Sequence, residues 1–197
     1  MSAGETARKH YESARMELIE RIQLRDNVLL LYLGAVGTIF GVSIGTTARL
    51  EILLVIPYLA LGASTIVSQH HAMIGSLGDF LAHEIEPFLR EIGEYAPQWD
   101  TSEALKASSN MSTLMGRTLG HLLLIIIPPI AGLSLNWRHG FYLTFPEGLL
   151  WWSGVILTGM SIFGIWESHQ WRMKLYRRLK SKLEDDDADR RTNKAVG

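Results

Sequence analysis

Four stretches of this chain are as long as a bilayer is thick and carry almost no charge. They are residues 27–45 (NVLLLYLGAVGTIFGVSIG), 50–69 (LEILLVIPYLALGASTIVSQ), 119–136 (LGHLLLIIIPPIAGLSLN) and 148–166 (GLLWWSGVILTGMSIFGIW). A helix needs about 20 apolar residues to cross the hydrocarbon core. A small soluble bundle can hide one such run in its interior. Four of them in 197 residues need lipid as a solvent. The expectation is therefore an integral membrane protein, all-α, folded as an antiparallel four-helix bundle.

Average composition conceals this. Hydrophobic residues make up 47%, charged residues 20%, and mean hydropathy is +0.11, all ordinary for a soluble domain. The charges are segregated instead of scarce. Of 19 lysines and arginines, 17 lie in residues 1–26, 70–118 and 167–197, and only Arg49 and Arg138 lie in the other two loops. The positive-inside rule puts the rich side in the cytoplasm, with both termini, and the cell inner membrane is the expected location. The N-terminal residues are charged and lack the apolar core of a signal peptide, so the first run is expected to stay as a span. Trp137, Phe141 and Tyr142 near the outer face, Trp151 and Trp152 at the start of the fourth span, and Trp166 and Trp171 at its inner end fit interfacial anchoring.

The spans should outrun the membrane. Met73, Leu77, Phe80, Leu81, Ile85, Phe88 and Ile92 recur at three and four residues, the period of a helix. Helical extensions on the cytosolic side are expected over 5–26, 70–92, 101–118 and 167–183. Pro87 would bend or end the second, Gly93 and Pro97 mark a turn, and Asp100 with Glu103 looks like a helix start. Residues 1–183 form one helical unit in this reading. Residues 184–197 have no apolar period and are expected to be disordered.

Two features inside the spans call for a packing partner. Gly37, Gly41 and Gly45 are spaced by four, with Gly34 near the same face. In water each interior glycine costs a helix about 1 kcal/mol relative to alanine. In a bilayer such a ridge lets two backbones approach, either within one chain or between two. Pro128 and Pro129 stand in the middle of the third span. Each removes an amide donor, so the carbonyls four residues earlier need another partner. Such a site can be a packing kink, or it can line a gate.

Histidines gather where three spans should meet the cytosolic face: His70 and His71, His121, and His169 with Glu167. An imidazole at that depth can take a proton, a ligand or a lipid phosphate. The spacing matches no metal motif, and no metal or other cofactor is expected. The chain has no cysteine, so thiol chemistry and disulfides are excluded. No phosphate loop, nucleophile elbow or dinucleotide fingerprint is present, so no enzyme is expected. Net charge is −1, which gives nucleic acid no reason to bind. No Asp, Glu, Lys or Arg lies deep in a span, which argues against an ion-coupled carrier. A pore built from several chains could use Thr38, Ser43, Ser64, Thr65, Thr158 or Ser161.

The stretches ESARMELIERIQLRDNVLLLYLGAVGTIFG and HHAMIGSLGDFLAHEIEPFLRE resemble segments of small, uncharacterised four-span bacterial membrane proteins. The chain is also loosely similar to the non-enzymatic membrane effectors of anti-phage defence systems. The glycine face, the proline break, the cytosolic helices and the missing catalytic motifs lead to the expectation of a homo-oligomer in the lipid bilayer that perturbs or permeates the membrane, and the resemblance implies that a cytosolic protein partner delivers its signal. Two alternatives accompany it: a membrane-anchored scaffold for a cytosolic partner, and a lipid- or metal-binding carrier built on the histidines.

Overall fold

The computed structural model describes residues 3–45, 49–93, 111–142 and 145–196. The described residues are all-helical. α1 runs Ala3–Gly45 without interruption, 43 residues or about 65 Å at 1.5 Å each. A 3₁₀ turn, Leu50–Val55, leads into α2, Ile56–Phe80. A π turn, Leu81–Ile85, connects α2 to α3, Glu86–Glu91. α4 is Met111–Leu135, α5 the short Trp137–Tyr142, and α6 Glu147–Val196. The stretches Ala3–Gly45, Leu50–Glu91 and Glu147–Trp171 are each long and apolar enough to cross a membrane, and Leu119–Leu135 is a shorter apolar helix.

Prolines explain the two irregular turns. The 3₁₀ turn ends where the Ile56 amide donates to the Leu53 carbonyl. That is the carbonyl Pro57, having no N–H, cannot serve in an α-helix. At the other end of this long element the Glu86 amide donates five residues back, to Leu81. In that register the His83 carbonyl no longer depends on residue 87, which is proline. Pro87 thus does not end the element, which continues as helix to Glu91. The helix stops at Gly93, whose φ of +75° is a left-handed conformation natural to glycine.

Helix α2 is the hub. Its most apolar stretch is 44% buried, against 22% for α1 and 28% for α6. It packs on α1, α4 and α6, and α4 and α6 also pack on each other. Two cross-links give the direction of the closest pair: Tyr58 hydrogen-bonds Ser153, and Ser68 donates to the Gly164 carbonyl at 3.2 Å. Both residue numbers rise together, so α2 and α6 run parallel. The expected bundle is therefore present, but its main contact joins two parallel helices instead of chain neighbours. α1 leans on the outside of α2. The shared core contains Leu29, Tyr32 and Val36 of α1, Leu53 of the 3₁₀ turn, Ile56, Ala60, Ala63 and Val67 of α2, Ile125 and Ile126 of α4, and Ile165 of α6.

The outer surface of the spans is apolar too. Leu30, Leu31, Ile44, Ile127, Ile156, Met160 and Phe163 are all exposed. Soluble monomers rarely show contiguous apolar patches above a few hundred Å². A lipid-facing surface is the natural account.

One sequence expectation differs from the fold. The stretch expected to be disordered, 184–197, continues α6 as helix through Val196. Acidic and basic residues spaced by four, such as Asp186 with Arg190 and Asp187 with Arg191, favour a helix without any apolar face. The extension expected over 101–118 is described only from Met111, where α4 begins; the remainder lies outside the described residues, as does Pro97.

Candidate functional site

The proline pair of α4 does not interrupt the helix; both residues lie inside it. Pro129 cannot donate to the carbonyl of Ile125. Tyr32 of α1 replaces that donor: its hydroxyl donates to the Ile125 carbonyl at 2.9 Å, and both residues are buried. In an apolar environment an unmade hydrogen bond of this kind costs on the order of 1–3 kcal/mol. Tyr32 is one of few polar groups in its span, which was the available signal for this role.

The end of the bundle at the short loops is tied in the same way. A helix leaves its last carbonyls without amide donors. Asn136, 2% exposed, follows α4 and donates through Nδ2 to Gly132 at 2.9 Å and to Leu50 at 2.8 Å. Its own amide and the Trp151 indole both serve the Leu133 carbonyl, at 3.2 and 2.9 Å. The Trp152 indole reaches the Gly140 carbonyl at 3.3 Å. Trp151 is thus a tie between α6 and α4, beyond the interfacial role its position indicates. Two glycines allow this closeness. A methyl group on Gly132 would sit 2.9 Å from the Leu53 carbonyl oxygen, and one on Gly140 would sit 2.4 Å from the Trp151 ring.

The glycine ridge of α1 behaves in the opposite manner. At 100° per residue, Gly34, Gly37, Gly41 and Gly45 fall within an arc of about 80°. The buried residues Leu29, Tyr32, Val36 and Ser43 lie roughly opposite. All four glycines are exposed, and among the described residues a methyl group on any of them meets nothing beyond its own helix backbone within 4 Å. Among the described residues they meet no other helix of the chain.

Hydroxyls named as candidates for a pore are mostly spent inside the chain. Ser64 and Thr65 donate to Leu61, Thr158 to Gly154 and Ser161 to Leu157, at 2.8–2.9 Å. Thr38, on the exposed face with the glycines, donates to the Gly34 carbonyl at 2.9 Å. Ser43 is fully buried and its hydroxyl has no hydrogen-bond partner among the described residues.

At the other end of the spans, three of the five grouped residues converge. His71 of α2, His121 of α4 and His169 of α6 line one small cavity with Ser68, Ser168, Val67 and Ile165. The His71 and His121 rings are 5.3 Å apart, tilted by 49°. His71 is buried; His169 also lies 6.2 Å from the exposed Trp166 ring. Glu167 is exposed, and neither it nor His70 lines the cavity. His70 has a buried Nδ1 with no hydrogen-bond partner. The two missing residues follow from helix phase: His70 is 100° from His71, and Glu167 is 200° from His169. The serines add polar wall that the histidine pattern alone did not announce. The cavity measures about 10 Å³. That is room for about one water and none for a lipid phosphate. Among the described residues no three His, Asp or Glu side chains are arranged to hold a metal ion.

No family model, curated protein or solved structure matches this chain.

Proposed function

We propose that the chain is a small inner-membrane protein, both termini cytoplasmic, that assembles with further copies of itself through the glycine ridge of α1 and acts as a membrane-perturbing effector. The observation that carries this reading is the uncovered ridge: four glycines that weaken a helix and, among the described residues, serve no neighbour. Close packing against a second α1 gives them a use. Any water path would then lie between copies, since the serines and Thr158 of the interior are buried and bonded to their own helices or enclosed. The likeness to anti-phage membrane effectors noted above supplies the class. A cytosolic partner acting on the helical extensions would supply the trigger.

The absence of cysteine makes the test direct. Thr38→Cys, on the ridge, should form an oxidative cross-link between copies in native membranes. Ile127→Cys, exposed on α4, should not. Equal cross-linking at both positions, or none at Thr38→Cys, would remove the ridge as an interface. Dye release from liposomes carrying the protein and its partner then tests perturbation separately.

A second reading, a membrane-anchored scaffold, draws on Met16, Ile19, Phe88 and Ile92, exposed apolar residues of the extensions. Polar substitution of all four would abolish capture of a cytosolic partner while leaving the Thr38→Cys cross-link intact.

A further inference from the structure

The exposed stripe of α6 changes chemistry where its span ends. Phe163 is 65% exposed and Trp166 57%, and Gln170 and Lys174 further along are exposed as well. At 100° per residue these four positions fall within an arc of about 80°, opposite the buried Ser161 and Ile165. Arg177 and Arg178 continue the same stripe one turn past Lys174, about 60° and 40° to either side of it. Counted from Glu147, where α6 begins, Trp171 lies about 36 Å along the axis, and Lys174, Arg177 and Arg178 follow at about 41, 45 and 47 Å. A bilayer with both headgroup layers is about 40–45 Å thick. A helix with charged Glu147 at one water boundary therefore reaches the other at these three cations.

The charge of this stretch is unbalanced within its own helix. Residues 168–183 contain six lysines and arginines and no aspartate or glutamate. Side chains of a helix pair at three and four residues, and none of the three cations has a carboxylate that close in sequence. α1 crosses the same end of the bundle differently: Arg21 is paired with Glu17 and Arg25 with Asp26, both at 2.7 Å. The acidic run of α6 starts only at Glu184, about 9–15 Å beyond the three, farther than the Debye length of about 8 Å at physiological salt. An apolar, aromatic stripe that ends in cations matches a molecule with acyl chains and an anionic head. A soluble polyanion would match only its cationic end.

We propose that Lys174, Arg177 and Arg178 form a headgroup site for an anionic phospholipid, whose acyl chains lie along Phe163 and Trp166. The head it takes is a phosphodiester with no ammonium to balance its charge. Each lysine or arginine near an anionic membrane surface raises affinity about fivefold, so three of them select such a lipid over a zwitterionic one. The site rests on α6 crossing a membrane and stands whether or not the chain oligomerises through α1.

The test uses the full chain in nanodiscs of equal phosphatidylglycerol and phosphatidylcholine with the same acyl chains. Native mass spectrometry counts the lipids that stay on the chain after release. The wild type should retain phosphatidylglycerol over phosphatidylcholine by at least about fivefold at low salt. Most of that preference should be lost at about 0.5 M salt, where exposed charges are screened. Lys174→Gln, Arg177→Gln and Arg178→Gln together should bring the ratio close to one, and glutamine keeps the helix propensity of the residues it replaces. Arg21→Gln with Arg25→Gln, cations already paired on α1, should leave the ratio unchanged. Equal retention of the two lipids by the wild type overturns the site. So does a preference that survives in the triple variant, or one that falls as far in the α1 variant. Should the triple variant fail to fold, the wild type decides: a preference unmoved by salt overturns the site. A wild type without lipid preference that binds a single-stranded oligonucleotide through these residues would overturn it in favour of a soluble polyanion. A chain that stays out of the nanodiscs would overturn the membrane placement of α6, and this site with it.

Discussion

The Tyr32 hydroxyl occupies the place of the amide proton that Pro129 lacks, donating at 2.9 Å to the carbonyl of Ile125 across 93 residues of chain. This bond ties α1, which otherwise leans on α2, to α4. It also supplies the donor that Pro129 withdraws from α4, a helix that continues through both prolines.

Tyr32→Phe should therefore destabilise the protein by about 1 kcal/mol, the scale of a buried hydrogen bond between membrane helices. The decisive comparison is a double-mutant cycle in detergent unfolding. With Pro129→Ala in the background the helix recovers its own donor, and the cost of Tyr32→Phe should fall close to zero. An equal cost in both backgrounds would mean that the phenol contributes only packing.

Glycines of this chain should divide by function. Gly132→Ala and Gly140→Ala push a methyl into the Leu53 carbonyl and the Trp151 ring, and overpacking of this kind typically costs about 1–3 kcal/mol. Gly34→Ala and Gly37→Ala meet no neighbouring atom among the described residues, so the monomer should keep or slightly gain stability through helix propensity. Thermal unfolding of all four variants under monomeric conditions separates the classes.

Asn136→Leu removes one side chain from two carbonyls at once, Leu50 and Gly132. The expected loss is on the order of 1–3 kcal/mol, because a buried acceptor is left without a donor. Hydrogen exchange should show the opening confined first to the 3₁₀ turn and the end of α4. Exchange that rises uniformly along α1 instead would contradict a local tie.

Much of this architecture was legible in the sequence, for a simple physical reason. A 20-residue apolar run has one stable environment, and helical period carries past the lipid boundary, so the long elements around residues 27–45, 50–92 and 148–183 could be read directly. Pairings between distant residues could not. Pro128 and Pro129 announced that carbonyls would need donors, but nothing local named Tyr32. The glycine ridge announced a contact, while its direction depended on which face of α1 the core took. Three of the grouped histidines converge on one cavity, yet a shared level in the sequence alone cannot separate His71 from His70 or His169 from Glu167; helix phase does. Packing of parallel α2 on α6 and helix in 184–196 left no apolar pattern to detect.

The central claim is that the α1 glycines meet a second copy of the chain. Native mass spectrometry in lipid nanodiscs, on the wild type and on Gly41→Leu, tests it most directly. Leucine at position 41 points away from the chain's own core, so the monomer should fold. A defined oligomer for the wild type that falls to monomer in Gly41→Leu is the predicted result. Monomers in both, or the same oligomer in both, would contradict the account.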